Sequence, residues 1–174
     1  MADALPERFR VEILEGSIVA SPTPSPKHAE VIRRISEQMS PQLPGDLACY
    51  QVLSVGISAE SSEYASPDLT VFPIAKARES DDWLSAPDSV ELVVEVASPG
   101  NARTDTETKP RVYASMGIPV YLLIDPRDGS LVCYSDPREG AYQATHRMKF
   151  GDTVVLPEPL KDVRIETADL PRDS

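Results

Sequence analysis

Basic residues are scarce in this chain. Seventeen lysines and arginines face 28 aspartates and glutamates, for a net charge of −11 over 174 residues. Binding to nucleic acid through a broad basic surface is excluded, since that mode draws its affinity from Lys and Arg meeting phosphates. Cysteine is almost absent. Cys49 and Cys133 stand far apart and follow no metal or redox spacing, so no disulfide framework is encoded. Both read as reduced, buried small side chains of a cytoplasmic protein. No apolar run is long enough to span a membrane. Residues 1–10 carry Asp3, Glu7 and two arginines and lack the apolar core of a signal peptide. Glycine is sparse as well, eight against 17 prolines, which points to stiff loops. No internal repeat and no domain boundary is visible. The expectation is one domain over residues 1–174, with 1–10 and 167–174 as flexible tails.

Within that frame the elements read in order. Residues 11–20 are two short apolar runs around Glu15-Gly16, the pattern of a two-residue hairpin. Ser25-Pro26 is an N-cap followed by proline at the first helical position, and Val31, Ile32, Ile35 and Met39 recur at helical spacing to Ser40. Arg33, Arg34 and Glu37 fall on its solvated side. Residues 47–58 alternate as one half-buried strand, and 59–66 read as a loop. Residues 68–73 are the next strand, 74–87 a surface loop with one helical turn at most, and 91–97 a central strand. A helix is expected to start near Thr106 or Glu107, capped by Thr104 or Thr106 in T-D-T-E, with Val112, Tyr113 and Met116 inward and Gly117 at its end. Residues 119–124 form a buried strand closed by Asp125-Pro126. Residues 131–135, 142–148 and 163–165 add antiparallel strands. The order predicts an α/β (α+β) fold with helices flanking a central mixed sheet.

Two carboxylates sit in apolar surroundings, Asp68 at the head of one run and Glu95 inside another. A buried charge is costly unless something offsets it, and two acids with a nearby lysine suit a divalent metal that handles phosphate. Each residue also has a plain reading. Glu95 can face out of a half-exposed strand or pair with an arginine, Asp68 can start a strand, and Lys109 can be a surface lysine. His28 and Glu30, in the first turn of their helix, read first as a surface or capping histidine and as a dipole partner. The residues alone leave both readings open.

Several segments fit one further pattern: V-E-I-L-E-G-S-I-V-A-S-P near the start, H-A-E in the first helix, S-P-D-L-T-V, L-V-V-E-V-A-S-P-G, a T-D-x-x-x-K-P-x-x-Y-A helix, and G-I-P-V-Y-L-L-I-D-P. Together they resemble the Uma-two family, a group classed as endonucleases within the PD-(D/E)XK restriction-endonuclease-like superfamily. The likeness covers roughly residues 10–134. It implies a restriction-endonuclease-like core with an added N-terminal hairpin, in which Asp68 and Glu95 hold Mg2+ or Mn2+ with the backbone carbonyl of Val96. The superfamily lysine normally stands two residues after the second acid. Ala97 stands there instead, and Lys109 on the following helix matches the position that Uma-like families use. Tyr113, Ser98, Asp105, Glu30 and His28 are the outer candidates. Arg103, Lys109 and Arg111 are expected as a local basic cluster.

The expected function is a metal-dependent deoxyribonuclease, with DNA as partner and a homodimer as assembly. The alternative, favoured by the acidic balance, is a non-catalytic protein-binding module on the same fold with a vestigial metal site.

Overall fold

The computed structural model describes residues 9–56 and 63–173. Its elements are β1 (Phe9–Leu14), β2 (Ser17–Pro22), α1 (Pro26–Met39), β3 (Leu47–Tyr50), β4 (Ser54–Gly56), β5 (Tyr64–Ala65), β6 (Leu69–Pro73), α2 (Ile74–Glu79), β7 (Leu84–Ser85) and β8 (Leu92–Val96). They continue with α3 (Lys109–Ser115), β9 (Val120–Asp125), β10 (Ser130–Arg138), β11 (Ala141–Lys149), β12 (Thr153–Val155) and β13 (Arg164–Glu166). Among the described residues, no helix is long and apolar enough to cross a membrane.

A six-stranded mixed sheet runs β11-β10-β9-β8-β6-β3, with β8 and β9 parallel and the other neighbours antiparallel. All five residues of β8 are buried, so the central placement read from its apolar run holds. Alternation divides the sheet's side chains between two cores. Leu92, Val94 and Val96 pack with Val31, Ile32, Ile35 and Met39 of α1. Burial of such side chains stabilises by about 1.5–3 kcal/mol each. Val93 faces the other way, with Val112 and Tyr113 of α3, Met116 just after it, and Leu14 of β1. Glu95 lies on this second face. β1 belongs to a smaller sheet, β2-β1-β5-β4-β7, folded over the same side.

The local signals act as expected at several points. Glu15 and Gly16 have φ of 49° and 73° and close the β1–β2 hairpin, the backbone that a two-residue turn needs. Ser25 caps α1, its side chain accepting from the His28 N–H, with Pro26 in the first turn. Gly117, at φ 72°, ends α3.

Other expectations are corrected. The single strand over 47–58 splits into β3 and β4, which join different sheets. Val52 between them, at φ 61° and 86% exposed, turns the chain from one sheet to the other. Ile57 and Ser58 lie outside the described residues, as do 59–62 of the expected loop, whose end is β5. The loop over 74–87 holds α2 and β7. The third helix begins earlier than Thr106: the Ala102 N–H already reaches the Ser98 carbonyl, and Thr104–Thr108 form a wide π turn in which the Lys109 N–H reaches Thr104. Thr106 bonds back to the Ala102 carbonyl, so no capping box forms. The wide turn has a cause in Pro110, which has no N–H for the carbonyl four residues back and whose ring would collide with it. β13 does not extend the large sheet but pairs with β12. The C-terminal segment is no loose tail, since Thr167 and Leu170 are buried and the Asp173 N–H bonds the Pro126 carbonyl. At the other end, Phe9 and Arg10 are part of β1, and residues 1–8 lie outside the described residues.

Candidate active site

The site forms where the C-terminal end of β8, the start of β6, β1 and the first turns of α1 and α3 meet. Asp68 lies just ahead of β6. The β6–β8 register runs to Leu69↔Val94, and extended by one residue it brings Asp68 opposite Glu95; Asp68 Oδ2 accepts the N–H of Val96, the residue after Glu95. Directly opposed residues on neighbouring strands share a face, so the two carboxylates are neighbours. Both residues are buried, at 7% and 1% exposure.

Each acid is held by its own set of donors. Asp68 accepts from Arg10 Nη1 at 2.8 Å and from the Val96 N–H at 2.9 Å. His28 Nε2 stands 3.0 Å from Asp68 Oδ2, an ion-pair distance outside hydrogen-bond alignment. Glu95 Oε1 accepts from Lys109 Nζ at 2.7 Å and from the Tyr113 hydroxyl. Lys109 Nζ is also 3.3 Å from Glu12 Oε1 and 3.3 Å from Asp105 Oδ1. Glu12 in turn accepts the Ser66 N–H at 2.8 Å. The Tyr121 hydroxyl donates to the Asp105 carbonyl at 2.8 Å and ties the wide turn to β9.

The charge states follow from this wiring. Burial works to raise the Asp68 pKa, but His28, Arg10 and the Val96 N–H outweigh it and hold Asp68 ionised, well below the usual carboxylate range. Glu95 goes the other way. Desolvation dominates, Lys109 opposes it, and the charges of Asp68, Asp105 and Glu12 add to it, pushing Glu95 up to about 8. Asp105 is raised by burial too, against the pull of Lys109. For Lys109, burial disfavours the charge, yet Glu95, Asp105 and Glu12 prevail and keep it cationic. One lysine thus serves three carboxyls, and around neutrality Glu95 carries the shared proton.

Glu95, Val96 and Asp105 line a pocket of ≈ 140 Å³, together with Arg10, Lys27 and His28. Among the described residues, no three His, Cys, Asp or Glu side chains are arranged to hold a metal. The donor set that fits one is smaller: Asp68, Glu95 and the Val96 carbonyl, all hard oxygens. Magnesium accepts such a set, because it retains waters in its remaining positions. Four carboxyls against two permanent cations also leave a negative surplus that a divalent ion would meet.

The outer candidates divide. Asp105, Tyr113 and His28 are at the site, and His28 is not the surface residue first read. Ser98 lines the pocket. Glu30 is elsewhere, on the outside of α1 with Arg33 and Arg34 at 2.7 and 2.8 Å. The expected basic cluster is absent: Arg103 pairs with Glu107 and Arg111 with Glu15, both at the surface, while only Lys109 turns inward. Arg10 and Glu12 are the residues that sequence reasoning missed. Their one signal is the alternation of β1, which puts them on the same face as buried Leu14.

A mixed sheet with helices on its faces is a restriction-endonuclease-like core. The chain matches the Uma2 family, described as "Putative restriction endonuclease", over residues 2–168, and it belongs to that family. Its fold is shared with a crystal structure from Anabaena variabilis described as "a putative nuclease belonging to DUF820", at a TM-score of 0.74 and 20% identity, covering 95% of this chain and 92% of that one. No curated protein matches the chain.

Proposed function

We propose that the protein is a metal-dependent endonuclease that hydrolyses phosphodiester bonds in DNA. The observation that carries this reading is the facing pair Asp68 and Glu95, with Lys109 Nζ 2.7 Å from Glu95, beside a pocket open to a ligand. Asp68, Glu95 and the Val96 carbonyl would hold Mg2+ or Mn2+. When bound, such an ion polarises a phosphoryl oxygen and lowers the pKa of a coordinated water. The chain's own residues do the rest. Glu12 and Asp105 each stand 3.3 Å from Lys109 Nζ, so the ammonium keeps partners beside Glu95 when that carboxyl turns to the metal. There it opposes the negative charge that builds at phosphorus in the transition state. Tyr113 fixes the Glu95 carboxyl, and the Val96 N–H fixes Asp68.

Cleavage of plasmid and linear DNA, with and without Mg2+ or Mn2+, tests the proposal. Activity should need the metal and stop with a chelator. Asp68→Ala or Glu95→Ala should abolish it, and Lys109→Ala should slow it about 10²–10³-fold, the usual effect of removing one donor to transition-state charge. A protein that cuts nothing with either metal, and whose melting temperature ignores magnesium, would instead be the binding module.

A further inference from the structure

The net charge leaves a question that the acids do not answer: how a chain at −11 would hold a polyanion. The pocket beside Glu95 supplies a local answer. Its lining also holds Arg10 from β1 and Lys27 and His28 from the first turn of α1, beside the acids Glu95, Asp105 and Asp173. Lys27 makes no ion pair among the described residues. Arg10 is only partly engaged. Its Nη1 is on Asp68 at 2.8 Å, but its Nε is buried without a hydrogen-bond partner among the described residues. Its side chain is 26% exposed, so the guanidinium is neither sealed in nor free in solvent. A buried N–H with no acceptor is rare and costly, and it calls for a reason.

A guanidinium presents five N–H donors in a planar fork, and the fork matches a tetrahedral oxyanion through two parallel hydrogen bonds. Arg10 uses part of that capacity on Asp68 and leaves Nε over. We propose that Arg10, with Lys27 beside it, is the grip for a backbone phosphate of the DNA strand. In the ligand-free protein Arg10 serves as the resident counter-ion of Asp68. A phosphate entering the pocket takes its unused donors, and Lys27 closes on the same anion as a point charge. The N-terminal end of α1 adds a favourable dipole but does not carry the assignment. Binding would then rest on one built phosphate site and not on a basic surface. This rests on the reading of the pocket as the substrate site.

The test separates the grip from that reading. Anisotropy of a fluorescent double-stranded oligonucleotide is measured with Ca2+, for wild type and for Arg10→Ala, Arg10→Lys and Lys27→Ala, over a range of salt. Magnesium binding is measured without DNA by calorimetry. Arg10→Ala and Lys27→Ala should each weaken DNA binding about tenfold and flatten the salt slope by about one phosphate contact. Arg10→Lys should keep the slope and lose only affinity, because the charge remains and the fork is gone. Magnesium binding should survive in Arg10→Ala or tighten, since Asp68 loses a competing cation. DNA binding unchanged in both alanine variants overturns the grip while leaving the nuclease intact if the wild type still cuts. Loss of magnesium and DNA binding together in Arg10→Ala makes Arg10 a support for Asp68 and also overturns it. A wild type that neither binds nor cuts DNA overturns both readings. Should Arg10→Ala fail to fold, Arg10→Lys and Lys27→Ala decide.

Discussion

Replacing Lys109 by methionine tests the charge wiring of the site more sharply than any loss of activity would. The side chain is 2% exposed and faces Glu95, Glu12 and Asp105 at 2.7, 3.3 and 3.3 Å. Methionine nearly preserves its volume, so a cavity contributes little. What changes is the charge. With Lys109 present, burial and the neighbouring acids hold a proton on Glu95, whose pKa is pushed up to about 8, and the ammonium offsets the remaining charge. Without it, a second carboxyl must be protonated to restore that balance. The sign follows from linkage. A carboxyl whose folded pKa is raised above its unfolded value contributes stability at low pH and loses it as pH rises towards the folded pKa. Relative to an unfolded carboxyl near pKa 4.3, each pH unit is worth about 1.4 kcal/mol, so the extra proton costs about 4 kcal/mol at pH 7 and about 1 kcal/mol at pH 5. The first figure agrees with the roughly 3–5 kcal/mol that breaking a buried ion pair costs. At about 2–4 °C per kcal/mol for a chain of this size, Lys109→Met should melt roughly 8–16 °C below wild type at pH 7 and only about 2–4 °C below it at pH 5. Asp105→Asn in the same chain restores the charge count and should recover most of the pH 7 loss. Thermal melts by circular dichroism at the two pH values decide. An equal loss at pH 5 and pH 7, or no rescue by Asp105→Asn, would refute the shared-proton reasoning.

Three further outcomes are expected. Because Glu95 is pushed up to about 8, a cation must displace its proton, so magnesium affinity should climb by about tenfold per pH unit and level off above pH 8. Calorimetry in buffers of different ionisation enthalpy should find about one proton released, and a flat profile from pH 6 to 9 would contradict it. Val52→Gly should stabilise the fold by about 1 kcal/mol, since a β-branched residue at φ 61° is strained and glycine is not; a lower melting temperature in that variant would show that Val52 does more than turn the chain. We propose finally that β2, an edge strand with no charged residue, and exposed Phe9, Val11 and Ile18 on the hairpin form the seam of a homodimer. Light scattering at high salt, which screens the −11 charges, should give twice the chain mass, and a monomer mass there would remove the idea.

Much of the scaffold is legible in the residues because its signals are local. The α1 helix announces itself by Ser25-Pro26 and by a 3.6-residue stripe, β8 by an apolar run, and the hairpin by Glu15-Gly16. The break at Val52 is hidden, since strand alternation continues in register on both sides of a positive φ that the residue type itself disfavours. The wide turn before Pro110 is hidden too, because its i→i+5 bonding leaves no period of its own. Asp68 and Glu95 are conspicuous as acids in apolar runs and Lys109 as a nearby lysine, but only the family likeness favours the site over the plain reading; spacing along the chain does not show that residues 27 apart stand opposite each other. Arg10 and Glu12 escaped because their partners are 58 and 97 residues away and because β1 turns its larger apolar residues outward. Leu170 anchors the C-terminal segment in the α1 core, and a single apolar residue in a polar tail carries no pattern to detect.

The cluster of Arg10, Glu12, His28, Asp68, Glu95, Asp105 and Lys109 has a consequence for how such a chain drifts over generations. Ionisable groups inside a core are often matched or bettered by apolar residues of similar volume, with gains of about 1–4 kcal/mol. Drift therefore has a downhill direction at this spot, towards Leu, Met and Phe, in any lineage where chemistry no longer matters. Single steps on that path are steep, because removing one partner strands the others, so the group tends to persist whole or to collapse in a few linked substitutions. Lineages of this fold should accordingly fall into two kinds, those with the full charged set and those with a greasy plug in its place, with few halfway forms between them.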